Sequence, residues 1–176
     1  MNNFYHPVEL PFSIDLDLTE FVDQQTKCNI NLLPEKVHQW LENTLDAVVL
    51  WTEIFYLPPN RSYDIHCDGH EIDNKCKLNY IINGNDSVMH WYKAADHSKI
   101  IYAYSKSNTR YLKLEKTNAE EICQATLINL NLVNVGDFHT VVNGKNDRWC
   151  ISIVVGDKIT KDRLNYNEVK SRLNIE

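Results

Sequence analysis

The chain has 176 residues, with a hydrophobic fraction of 43% and an aromatic fraction of 10%, which suits a globular domain with its own core rather than a disordered chain. Its net charge of −6 and pI near 5.6 argue against a protein that coats nucleic acid, because phosphate binding needs clustered Lys and Arg. Five cysteines without CxxC spacing, an N-terminus (MNNFYHPVELPF) without a signal pattern, and no apolar stretch approaching the roughly 20 residues of a membrane span lead us to expect one cytoplasmic domain over 1–176.

Residues 12–18 alternate apolar and polar and read as a strand with one buried face, followed by a short helical turn at 19–25. Pro34 suits a first helical turn, and Val37, Trp40, Leu41 and Leu45 follow at helical spacing, so 34–45 is predicted as an amphipathic helix. Residues 47–56 (AVVLWTEIFY) form a nearly continuous apolar run, the pattern of a strand buried on both faces. Pro58-Pro59 ends it, and a second strand is expected from about Tyr63 to Cys67, then a polar loop. Strands follow at 77–82 and 87–93, with Asn83-Gly84 the signal for a hairpin between them. A polar insert occupies 94–109, 110–116 alternates as a strand, and 119–123 reads as a brief helix or turn. Strands are predicted at 125–135, 138–142 and 148–155, the last two joined by a turn at 143–147, and a short helix within 160–174. Eight to ten short strands with two or three flanking helices predict an antiparallel sandwich or barrel.

The chemistry gathers at the second of these strands. Residues two apart in a strand share a face, so His66 and Asp68 aim an imidazole and a carboxylate to one side, where they can take adjacent positions on one metal ion. His139, just after the Gly136-Asp137 break, is the candidate third ligand. Two His and one carboxylate leave three positions open on an octahedral ion, which suits non-haem Fe(II) chemistry with O2. If the turn at 143–147 is an even-membered hairpin loop, Arg148 falls on the same face as His139; an odd loop would turn Trp149 inward. The even case is the expectation. A guanidinium so placed needs a carboxylate, and Arg grips one bidentately. Tyr63 and Trp91 either line a substrate cleft or fill the core, and Lys77 and Asn79 share one face of their strand.

His66, Asp68, His139 and Arg148 together resemble the signature of the Fe(II)- and 2-oxoglutarate-dependent oxygenases: His-x-Asp, a distal His and an Arg shortly after. The lead-in YLPPNRSYDIHCDG is similar to the approach in the aspartyl/asparaginyl β-hydroxylase-like branch, and the length and layout are similar to small phage and bacterial members. The resemblance covers about residues 47–155, the expected core of the domain, and implies a double-stranded β-helix (jelly roll). It implies Fe(II) on the triad and 2-oxoglutarate chelated to it, with the distal carboxylate on Arg148. It also implies co-substrate contacts from Lys77 and Asn79, which otherwise read as a solvated face. The implied reaction is hydroxylation of an amino-acid side chain of a peptide or protein, or of a small metabolite, with succinate and CO2 as co-products. The alternative is a non-catalytic jelly-roll binding module with a structural or vestigial metal site; a site that had decayed should have lost a ligand or the Arg, and all four are present.

Overall fold

The computed structural model describes residues 3–18, 21, 26–28 (backbone only), 33–104 and 110–175. Along the chain these form β1 (Tyr5–Pro7), β2 (Thr26–Cys28), α1 (Glu35–Leu45), β3 (Ala47–Leu57), β4 (Ile65–Cys67), β5 (Cys76–Ile82), β6 (Val88–Ala94), β7 (Ile101–Tyr104), β8 (Arg110–Leu114), β9 (Ala119–Ala125), β10 (Asn129–Asn134), β11 (Phe138–Val142), β12 (Arg148–Asp157) and α2 (Tyr166–Arg172). Among the described residues the protein is mainly β, with two α-helices and two antiparallel six-stranded sheets. The first sheet has the order β1-β10-β5-β12-β3-β2 and the second β7-β8-β4-β11-β6-β9.

Period-2 alternation divides the interior into layers. Leu78, Leu132, Ile151 and Ile153 project from one face of the first sheet and pack with Val37, Leu41 and Leu45 of α1 and Val169 of α2. The opposite face contributes Leu57, Ile81, Val133 and Cys150, which meet Met89, Trp91 and Val141 of the second sheet. A third cluster, Ile65, Cys67, Leu112, Leu114 and Phe138, lies on the far face of the second sheet. The layer between the sheets contains the site.

Helix α1 forms where its apolar spacing predicts, although Pro34 occupies the capping position rather than the first turn, and Asp46 ends the helix in the left-handed region at φ 47°. Helix α2 starts at Tyr166 behind a reciprocal cap: the Asn165 side chain accepts from the N–H groups of Asn167 and Glu168, and Glu168 accepts from the Asn165 N–H.

Several expectations are corrected. Residues 13–18 form no strand, although Ile14 and Leu18 are buried as the alternation predicts; these side chains fill the core without a partner strand beside the backbone. The helical turn expected at 19–25 lies outside the described residues except for Phe21. Residues 119–125 are strand β9, paired to β6, rather than helix or turn, and the run from 125 is split between β9 and β10. Both predicted hairpins are absent. β5 pairs with β10 and β12, and β6 with β11 and β9; β11 pairs with β4 and β6, and β12 with β3 and β5. The Asn83-Gly84 and Asn143-Gly144 turns thus each carry the chain from one sheet to the other. The two loops also hold each other, the Lys145 N–H donating to Asp86 at 2.6 Å and the Asn146 amide to the same carboxylate at 3.3 Å.

Candidate metal centre

His66 and His139 are directly opposed across the β4–β11 pair, so both imidazoles project from the same face of the second sheet. Asp68 follows the end of β4, where its N–H donates to the Val135 carbonyl at 2.8 Å and Gly69 turns the chain at φ 123°. One ligand atom from each of the three residues lies within 4.8 Å of the others, so the group could hold a metal ion. The ring centroids of His66 and His139 are 4.6 Å apart, and His66 Nε2 is 3.5 Å from Asp68 Oδ1.

The surroundings fix which nitrogens face inward. His66 Nδ1 lies 2.8 Å from the Asp64 carbonyl and His139 Nδ1 lies 2.9 Å from the Asp137 carbonyl. A carbonyl only accepts, so each ring places its N–H there and leaves the Nε2 lone pair available, the arrangement that orients metal-binding imidazoles. His139 is buried, whereas the His66 and Asp68 side chains are 24% and 23% exposed; the group is supported on one side and open on the other. Tyr111 of β8 packs edge-on to His66 at 5.8 Å. The donor set, two neutral nitrogens and one carboxylate, fits a divalent transition metal. It is recognised by donor geometry. Two of the more pronounced surface depressions, lined in part by Asn83 and Trp149 and by Ile14 and Tyr80, include none of its residues.

In the ion-free protein the three groups titrate apart. Burial raises the Asp68 carboxyl, but the Lys77 ammonium and both histidines outweigh it and hold the group well below its ordinary range. Burial, with His66 adding to it, lowers His139 to about 4. Burial also opposes protonation of His66, yet the hydrogen bond and charge of Asp68 raise it above 6.5.

The other predicted site residues are placed as follows. Lys77 and Asn79 are buried on the inner face of β5, at 6% and 7% exposure. Lys77 Nζ sits 2.6 Å from Glu53 Oε2 and 2.6 Å from Asp68 Oδ2, and Asn79 Oδ1 accepts from Ser152 Oγ at 2.7 Å. Arg148, 3% exposed, opens β12 on the face shared with Cys150, towards the inter-sheet layer. It reaches this position without the predicted hairpin, because β12 belongs to the opposite sheet from His139. Its Nε donates to Ser87 Oγ at 3.1 Å, and among the described residues no carboxylate pairs with it. Tyr63 is largely buried near Arg148, its hydroxyl donating to the Tyr56 carbonyl at 2.9 Å; burial raises its pKa. Trp91 is wholly enclosed, donates to the Asn134 carbonyl at 3.1 Å and stacks on Tyr5, so it fills the core. Glu53, Ser87 and Tyr111 went unnoticed in the sequence. Only Glu53 carried a signal there, as the single charge in the run AVVLWTEIFY.

Fold and site together define a mainly β protein of two antiparallel sheets with a His-Asp-His group able to hold a metal ion. The chain matches no protein-family model and no curated protein closely enough to name a relative.

Proposed function

We propose that this protein is an Fe(II)- and 2-oxoglutarate-dependent oxygenase that hydroxylates an amino-acid side chain or a small metabolite. The observation that carries the reading is the pairing of an open His-Asp-His group with Arg148, a buried guanidinium that has no carboxylate partner among the described residues and faces the same inter-sheet layer. A buried charge without a counter-ion costs several kcal/mol, on the order of magnitude seen for isolated ions in proteins, and an anionic ligand offsets that cost. A keto diacid has the required chemistry: a chelating end for the metal and a far carboxylate for the guanidinium. Strand order supports a jelly roll. Eight strands, β3–β6 and β9–β12, change sheet at six of their seven steps and are ordered β10-β5-β12-β3 and β4-β11-β6-β9.

Bound to His66, Asp68 and His139, Fe(II) would supply the activation of O2 coupled to decarboxylation of the keto acid to succinate. The chain's own residues do the rest. The Asp64 and Asp137 carbonyls hold the two rings with Nε2 inward. Arg148, positioned by Ser87, receives the far carboxylate. Phe55 and Tyr63, edge-to-face at 6.4 Å, present apolar surface in this layer and limit stray water. A specific observation favours a second reading, a non-catalytic binding module. Asp68 is already neutralised by Lys77, so the cluster is satisfied as a buried ion-pair network. Calorimetric titration of 2-oxoglutarate into Co(II)-loaded and metal-free protein separates the two. Binding that requires the metal supports the oxygenase; no binding in either form leaves the module.

A further inference from the structure

The two oxygens of Asp68 have different surroundings. Oδ1 faces the ligand nitrogen of His66 at 3.5 Å. Oδ2 is 2.6 Å from the ammonium of Lys77, which reaches across from the first sheet. Lys77 is in turn braced by Glu53 at 2.6 Å, and its ammonium lies 5.2 Å from the centre of the Phe55 ring. The brace is built into strand register. Glu53 and Asn79 both flank Ser152 across β12, and Ser152 donates its hydroxyl to Asn79. The small serine side chain, already committed to Asn79, leaves Lys77 to Glu53. With its side chain 8% exposed and both carboxylates in contact, Lys77 has little freedom to move away from Asp68.

A carboxylate free at both oxygens can ligate an ion through one or both of them. With both, the three residues fill four positions of an octahedral ion; a chelating keto acid would take the last two and leave none for O2. We propose that Lys77, braced by Glu53, is a positioning residue that occupies Oδ2 and confines Asp68 to ligation through Oδ1, preserving the third open position. This rests on the metal and keto-acid reading above. Lys77 also places a positive charge beside the ion, so its removal both frees a ligand oxygen and relieves repulsion.

The test uses Co(II) alone with wild type, Lys77→Met and Lys77→Arg, reading affinity by calorimetry and coordination by X-ray absorption. Wild type and Lys77→Arg should show no carbon shell of a bidentate carboxylate. Lys77→Met should show one and bind Co(II) about tenfold more tightly. Unchanged coordination in Lys77→Met, whether Co(II) binds as before or more weakly, overturns the proposal and leaves Lys77 a structural ion pair. A bidentate signature in wild type overturns it even if Lys77→Met fails to fold. Absence of Co(II) binding to wild type overturns instead the metal reading on which it stands.

Discussion

Replacing Arg148 with Met should make the metal-free protein more stable while strongly weakening keto-acid binding. Arg148 is 3% exposed, and among the described residues its one hydrogen bond is from Nε to Ser87 Oγ. Loss of that bond costs about 1 kcal/mol, and Ser87 is not orphaned, because its hydroxyl still donates to the Gly84 carbonyl at 2.8 Å. Against this stands the desolvated guanidinium, whose replacement by an apolar side chain of similar length removes a penalty of several kcal/mol. The net expectation is stabilisation on the order of 1–3 kcal/mol, read as a higher urea midpoint at unchanged slope. Losing a buried charge-assisted contact to the ligand costs about 3 kcal/mol, roughly a hundredfold or more in affinity. The assay pairs urea unfolding of apo-protein with calorimetry of 2-oxoglutarate on the Co(II)-loaded form. A variant less stable than wild type that binds the keto acid within about a factor of two would show that Arg148 is structural and refute the reasoning.

Other expectations concern the metal group and the scaffold. Because His139 is neutral down to about 4 while the His66 pKa is raised above 6.5, metal binding should displace a single histidine proton. Co(II) affinity should rise about one log unit per pH unit below the His66 value and level off above it, and a slope near two would mean that both rings bind protons. Asp157, lowered to about 2 by its hydrogen bonds from Arg172 and the Thr160 and Ile159 N–H groups, ties β12 to α2. A depressed carboxyl stabilises the fold above its ordinary value of 3.8 and ceases to do so as pH falls through about 2. Asp157→Asn should therefore lower the melting temperature at neutral pH, with the gap from wild type closing as pH falls below that ordinary value; a constant gap would contradict the linkage. Trp91→Ala should cost about 3–5 kcal/mol in urea unfolding, because the side chain is fully buried and hydrogen-bonded to Asn134; a cost under about 1 kcal/mol would place Trp91 outside the core.

The sequence was most legible where the determinants are local. Val37, Leu41 and Leu45 repeat at helical spacing and form the buried stripe of α1. The alternation of Lys77, Asn79 and Ile81 against Leu78, Tyr80 and Ile82 survives in β5 as two distinct environments. His66 and His139 could be paired as ligands because each projects from a recognisable strand and a metal needs both. Strand pairing was not legible. Asn83 does adopt the left-handed conformation that its Asn-Gly sequence favours, at φ 58°, but a tight turn specifies only that the chain reverses. Whether it reverses within a sheet or arches to the facing one depends on where β5 and β6 bury their side chains, and that is decided by β10, β11 and β12, far along the chain. For the same reason Arg148 faces the inter-sheet layer from β12 of the first sheet and not from a hairpin with β11. The Glu53–Lys77–Asp68 bridge was illegible for a related reason. Three charges on separate elements meet only once two sheets face each other, and nothing local to Glu53, Asp68 or Lys77 names the other two as its partners.

In the proposed function, His66, Asp68, His139 and Arg148 act together on one metal and one keto acid. The most direct measurement is anaerobic addition of Fe(II) and 2-oxoglutarate to the apo-protein, recorded in the visible range beside His139→Ala. Wild type should show a weak charge-transfer band that needs both additions and is lost in the variant. No band in wild type, or an equal band in His139→Ala, would contradict the proposed function.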